Sequence, residues 1–158
     1  MGSDHTTPVT KADGFRVSVD SGNAEELRRG AGAGADYLLS LTEDTLDLAF
    51  ETAAVPILIP AKHGDLQSLL RAADRLDQAG MPYFADPILD PIHFGFTASI
   101  VRYHELRRRL PEVEILMGVG NLTELTDADT PGITMTLMGM VSELTIRNVL
   151  VVQVSPHC

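Results

Sequence analysis

Residues 85–96 read ADPILDPIHFGF, so two Asp-Pro pairs, at Asp86 and Asp90, follow the apolar run MPYF with three residues between the carboxylates. Burying two anions without donors would cost several kcal/mol each. Either both face hydrogen-bond donors of a ligand, or one of them caps backbone or faces solvent. Asp20 raises the same question at the end of VSVD. The following SGNAEEL supplies its own helix cap in Asn23 or Ser21, with Glu25 and Glu26 favouring the helix dipole, and leaves Asp20 unused. Asn121 follows two glycines in LMGVGN, and its amide offers a donor and an acceptor to the edge of a heterocycle. The alternative is a turn asparagine with left-handed backbone.

Other residues carry less chemistry. The five histidines, His5, His63, His93, His104 and His157, show no pair at ligand spacing on a helix face, and the single cysteine is the last residue. No metal is predicted on this basis. His104 belongs to a solvated helix face, whereas His93 and His157 fall just beyond strand ends. The glycine-rich GAGAGAD at 30–36 follows a helical stretch and leads into a strand. That is the reverse of a phosphate-binding loop, so it reads as a helix C-cap and a tight turn.

The elements that must position these side chains alternate regularly. Apolar runs of strand type are FRVSV, DYLLSL, VPILIP, MPYFA, EILMGV and NVLVVQV, and helical stretches lie between them at about 23–32, 44–53, 64–79, 97–109 and 131–145. In the fourth, Ile100, Tyr103, Leu106 and Leu110 recur at helical spacing, with Arg and Glu on the other face. Alternation of this kind predicts an α/β fold with a parallel sheet covered by helices. The strands are apolar almost throughout, as strands buried on both faces are. Asp20, Ser40, Asp86, Asp90, Asn121 and Gln153 all fall at strand C-terminal ends, the rim where such folds bind ligands. A closed eight-stranded barrel usually needs at least about 200 residues. With 158 residues, the chain is either an open sheet or a piece of a barrel.

Composition narrows the partners. Twelve basic residues against 22 acidic give a formal charge of −10, and no basic stripe is available to neutralise phosphates, so nucleic acid is excluded as a partner. The 44% hydrophobic content suits about one folded domain. No run has the length of a membrane span and the N-terminus lacks a signal-peptide pattern. One terminal cysteine points to a reducing, cytoplasmic setting, although Cys158 could cross-link two chains in air. Residues 1–14 read as a flexible leader or cloning remnant, and residues 15–158 as the folded segment.

The segments FRVSVDSGNAEELRRGAGAGADYLLSL, FADPILDPIHFGF and ILMGVGNLTELTDADTPGITMTLMGMVSEL resemble the pterin-binding superfamily, most closely the dihydropteroate synthase-related proteins of methanogens and some methylotrophs. The resemblance runs from about Phe15 to the C-terminus and implies a (β/α)8 barrel with a reduced pterin at its C-terminal mouth. It implies pterin-binding roles for Asp20, Asp86 and Asp90, for Asn121 near N5 of the ring, and for Ser40 and Gln153 at neighbouring rim positions. Asn121 is also the catalytic candidate, since in methyl transfer it would stabilise charge changing at N5. A pterin edge presents an amino group and a ring N–H side by side, which one carboxylate can bind with two parallel hydrogen bonds.

The departures from the family pattern carry weight too. Dihydropteroate synthases have a lysine after the seventh strand and Arg-x-His on the eighth, where this chain reads NLTEL and VQVSPH. Gln153 and Ser155 stand about where the arginine and histidine would be, and the only lysines are Lys11 and Lys62. Leu39 and Ser40 stand where relatives often have asparagine. The resemblance begins on the third barrel strand, so a partial, TIM-barrel-like fold of about six strands is expected. Its edges would be covered in a homo-oligomer, by rearrangement, or by the missing part of a longer protein. The functional expectation is a transferase-like pterin-binding domain of folate or tetrahydromethanopterin metabolism. The alternatives are a noncatalytic binding or assembly module and a methyltetrahydrofolate:corrinoid-type methyltransferase.

Overall fold

The structure, a computed structural model, describes residue 11, residues 13–126 and residues 130–151. Six strands form one parallel sheet in sequential order: β1 (Ser18–Asp20), β2 (Tyr37–Leu41), β3 (Val55–Leu58), β4 (Phe84–Ala85), β5 (Glu114–Gly118) and β6 (Asn148–Leu150). Helices α1 (Ala24–Gly32), α2 (Asp47–Glu51), α3 (Leu66–Gln78), α4 (Phe96–Arg109), α5 (Gly120–Thr123) and α6 (Thr130–Glu143) link them. A doubly wound sheet reverses its strand order at a switch point. No reversal occurs here, and the sheet curls into a half-barrel of the TIM type; of the two forms the strand count left open, this is the one the family resemblance implied.

The predicted helices are present, with the second shortened to one turn and a half, and the single turn α5 stands where the sequence suggested only a strand end. The predicted sixth strand, 148–154, is observed over Asn148–Leu150, with Val151 beyond it and 152–154 outside the described residues. Local chemistry explains the starts and stops. Asn23 Oδ1 accepts from the Glu25 N–H at 2.9 Å, and Ser21 Oγ accepts from the Asn23 N–H at 3.0 Å, so both residues act at the start of α1. Gly34, at φ +95°, turns the chain after α1, which makes the glycine-rich segment a helix end and turn. Lys11, assigned by the sequence to a leader, pairs with Asp36, which also accepts from the Val17 N–H at 2.7 Å.

The two faces of the sheet differ. On the outer face Leu38, Leu41, Leu58, Ala85, Ile115 and Met117 are buried in one continuous core with Leu27, Leu69, Leu76, Tyr103 and Leu106 from the helices. The inner face carries Ser18, Tyr37, Leu39, Ile57, Phe84 and Leu116, which with Arg147 and the β6 segment line a cavity of about 400 Å³. Tyr37 and Phe84 meet there edge to face, with ring centroids 5.8 Å apart. The strands are therefore apolar on both faces, yet only the outer one is fully covered. Among the described residues, β1 and β6 have a strand neighbour on one side only, and Leu150 and Val151 are exposed. No helix among the described residues is long and apolar enough to cross a membrane.

At Gly30, α1 packs so tightly on the sheet that an added Cβ would lie 2.7 Å from Val19 Cγ2. Valine is stiff at χ1 and cannot swing aside. Gly32, two residues on, has nothing within 4 Å of an added Cβ. In urea unfolding, Gly32→Ala is expected to gain about 0.5–1 kcal/mol through helix propensity. Gly30→Ala is expected to fall below it by about 1–3 kcal/mol from overpacking; equal effects would contradict this packing.

Candidate functional site

Two groups of polar side chains stand along the C-terminal edge of the sheet. At the end of β1, Asp20 shares the inward face of Ser18 by strand alternation and is exposed. Ser40 Oγ donates to Asp20 Oδ1 at 2.8 Å. Ser40 has φ +72° and lies in the register shift of β2 between Leu38 and Leu41. The irregularity lets its hydroxyl reach across to the neighbouring strand instead of following the pleat.

The second group is built on the loop after β4. Asp86 follows the last residue of that strand, and its N–H donates to Leu58 O of β3 at 2.8 Å. Its Oδ1 accepts from the Tyr103 hydroxyl at 2.6 Å and from the Ile88 N–H at 2.8 Å, while Oδ2 has no partner among the described residues. Burial pushes the Asp86 carboxyl up to about 6, against the opposing pull of the Tyr103 and Ile88 hydrogen bonds and the Arg102 charge. Burial, and then the charge of Asp86, hold the Tyr103 hydroxyl well above the ordinary phenol range.

Asp90 is buried as well, at 4% exposure. Its Oδ2 accepts from Arg102 Nη2 at 2.7 Å, and its Oδ1 lies 3.1 Å from His63 Nε2, at the end of the loop after β3. Arg102 also donates from Nε to Pro87 O at 3.1 Å and from Nη2 to Ile88 O at 2.9 Å. One guanidinium from α4 thus ties down three points of the loop. Gly95, at φ +119°, passes so close that an added Cβ would meet Asp90 Oδ2 at 2.9 Å. Asn121, in α5, donates from Nδ2 to Leu89 O at 3.2 Å, and its Oδ1 has no partner among the described residues.

The structure therefore joins Asp20 to Ser40, and Asp86, Asp90 and Asn121 to a common loop, with both groups on the same edge of the sheet. Asn121 is helical and exposed, not a left-handed turn residue. His93 is exposed, with φ +70°. Gln153, with Ser155, His157, Cys158 and His5, lies outside the described residues. Neither aspartate of the Asp-Pro pairs is turned to solvent; Asp90 Oδ2 is held by Arg102, and its Oδ1 lies near His63. Three contributors went unnoticed in the sequence. Arg102 belongs to a helix whose arginines were assigned to the outer face, yet it is 9% exposed. Tyr103 read only as an apolar position, although a buried tyrosine hydroxyl requires a partner. His63 follows VPILIPAK directly, and its place beyond a strand end was the available signal.

Because the folded-state value of Asp86 lies above that of an ordinary carboxyl, the group favours the fold fully below about pH 4. That contribution is lost as pH rises through about 6. It amounts to on the order of 3 kcal/mol, so the stability of the wild type relative to Asp86→Asn should fall by roughly this much from pH 4 to pH 7. Urea unfolding at a series of pH values measures it, and a difference that stays constant across the range would refute the assignment.

No protein-family model matches the chain. An uncharacterized protein of Methanocaldococcus jannaschii is 31% identical over 162 residues, covering 90% of this chain and 30% of that protein. The chain thus spans about a third of the length of this relative. Among solved structures, the dihydropteroate synthase of Thermus thermophilus in complex with 4-aminobenzoate superposes with a TM-score of 0.66 at 20% identity, over 93% of this chain and 68% of that one. The enzyme from Yersinia pestis gives 0.63 at 18% identity, over 95% and 72%. The enzyme from Xanthomonas albilineans in complex with 7,8-dihydropteroate gives 0.64 at 20% identity, over 94% and 67%. The chain therefore has the fold of the dihydropteroate synthases, as the resemblance of its sequence implied.

Proposed function

We propose that this chain is the pterin-binding segment of a dihydropteroate synthase-related, transferase-like protein acting in folate or tetrahydromethanopterin metabolism. The observation that carries the reading is the exposed Asp20 carboxylate, oriented by Ser40 at the mouth of an apolar half-barrel. A flat heterocycle with adjacent N–H donors suits such a place, since its faces can lie against apolar side chains while its edge meets a carboxylate. Asp86 Oδ2 and Asn121 Oδ1 offer two further acceptors on the same edge of the sheet. The dihydropteroate synthase fold and the 7,8-dihydropteroate held by the Xanthomonas albilineans enzyme support the same class of ligand.

The charge of the mouth bears on the chemistry. With Asp90 neutralised by Arg102, the exposed Asp20 carboxylate on the rim of a chain of formal charge −10 favours a donor-rich ring over a ligand bearing pyrophosphate. Of the two lysines, Lys11 is engaged by Asp36 and Lys62 stands in the loop after β3. Neither follows β5, where a synthase would place the cation that meets its leaving group. These features favour a second reading, a noncatalytic binding or assembly module of a longer protein. In a methyltransferase-type reaction at N5, Asn121 is the side chain assigned to stabilise charge changing at that atom.

Titration calorimetry with 7,8-dihydropterin tests the proposal. Asp20→Ala should weaken binding by about 10- to 150-fold, the loss of a charge-assisted hydrogen-bonded contact worth about 1.5–3 kcal/mol. No binding to the wild type at millimolar ligand would overturn the reading, and unchanged affinity in Asp20→Ala would remove Asp20 from it.

A further inference from the structure

We infer that Tyr103 is a positioning residue for ligand binding: its hydroxyl and the Ile88 N–H fill one oxygen of Asp86, so that the other, Oδ2, is the acceptor this carboxylate offers to a ring N–H or amino group. This rests on the pterin reading and adds to it a buried side chain that itself touches no ligand.

The two oxygens of Asp86 are unlike. Oδ1 accepts from the Tyr103 hydroxyl at 2.6 Å and from the Ile88 N–H at 2.8 Å, while Oδ2 has no partner among the described residues. Among those residues the Thr52 hydroxyl is the one side-chain polar atom that is both unpaired and closed off from solvent. Oδ2 therefore keeps an opening to solvent, although Asp86 as a whole is only 9% exposed. A buried carboxylate with one oxygen unanswered is costly. A donor arriving at Oδ2 relieves that cost, and in a place of low dielectric its hydrogen bond is stronger than at an exposed rim.

Both donors to Oδ1 are built into the fold. Ile88 is β-branched yet has φ +65°, a conformation that side chains of this shape rarely adopt. It is held there by Arg102, which donates to Ile88 O at 2.9 Å and to Pro87 O at 3.1 Å. Backbone of this kind persists where its surroundings over-determine it, and here it turns an N–H onto Asp86. Tyr103 is fully buried in the core, and Leu116 O, the other acceptor near its hydroxyl, is 3.5 Å away, so the single hydroxyl hydrogen goes to Asp86. The titratable and charged groups acting on Asp86 are Tyr103 and Arg102, both of α4. The flanking strands present backbone there, with Leu58 O of β3 accepting from the Asp86 N–H and Leu116 O of β5 beside the tyrosine. Held at Oδ1, the carboxylate has its orientation set before a ligand arrives, which lowers the entropic cost of binding.

Titration calorimetry with 7,8-dihydropterin at a series of pH values, in buffers of different ionisation enthalpy, tests the inference. The ionised carboxylate is the stronger acceptor, so wild-type affinity should rise with pH and level off above about 6, and binding near that pH should release about half a proton. Tyr103→Phe keeps the ring in the core and removes the donor. It should weaken binding about tenfold on the high-pH plateau and move the rise to higher pH, because the hydroxyl favours the ionised carboxylate. Loss of packing alone would leave the midpoint in place. Wild-type affinity that does not change with pH, without proton release, would overturn the inference whether or not the variant folds. Unchanged affinity and midpoint in Tyr103→Phe would overturn it as well. Either result leaves the pterin reading and its Asp20 contact standing, whereas absence of binding to the wild type would overturn both.

Discussion

The mouth of this half-barrel depends on a single buried cation. Arg102 reaches from α4 to two backbone carbonyls and one carboxylate of the loop after β4, and each of those acceptors would be costly to bury alone. The planar guanidinium can serve all three because its donors are fixed in one plane. With the loop held in this way, Ile88 and His93 keep positive φ, Gly95 passes against Asp90, and Asn121 finds Leu89 O. The geometry of the rim is therefore anchored in the helix layer beneath it.

Below that rim, the sheet is covered unequally. Sequential strand order sends the helices to the outer face, and the core forms there. The inner face, which in a closed barrel would be filled by side chains from strands all around, here leaves a cavity lined by Tyr37, Phe84 and other apolar side chains together with Ser18, Arg147 and Asn148. The polar rim and this open inner face are consequences of the same curl.

Three carboxylates on one edge meet three environments. Asp20 is exposed and takes a hydroxyl donor, Asp90 is buried against a cation and an imidazole, and Asp86 is buried with its charge only partly answered. Environment separates groups of identical chemistry, so that acceptors of different strength stand along one mouth.

Much of the architecture was legible in the sequence. Helical spacing located the longer helices, apolar runs located the strands, and Asp20, Ser40, Asp86, Asp90 and Asn121 could be assigned to strand C-terminal ends because the alternation of elements is a local, periodic signal. Asn23 and Ser21 could be read as caps for the same reason: their partners lie within two residues. What only the tertiary structure decided involves partners far apart in the chain. Tyr103 and Asp86 are 17 residues apart, and Arg102 and Asp90 are 12 apart. The contact of His63 with Asp90 crosses from one loop to another. An arginine in a helical pattern reads as a solvent-facing residue unless the acceptor that buries it is known. Hydrophobic periodicity records which face of an element is covered; it does not record which side chain from another element answers a given charge, because that choice is made only when the strands are laid side by side.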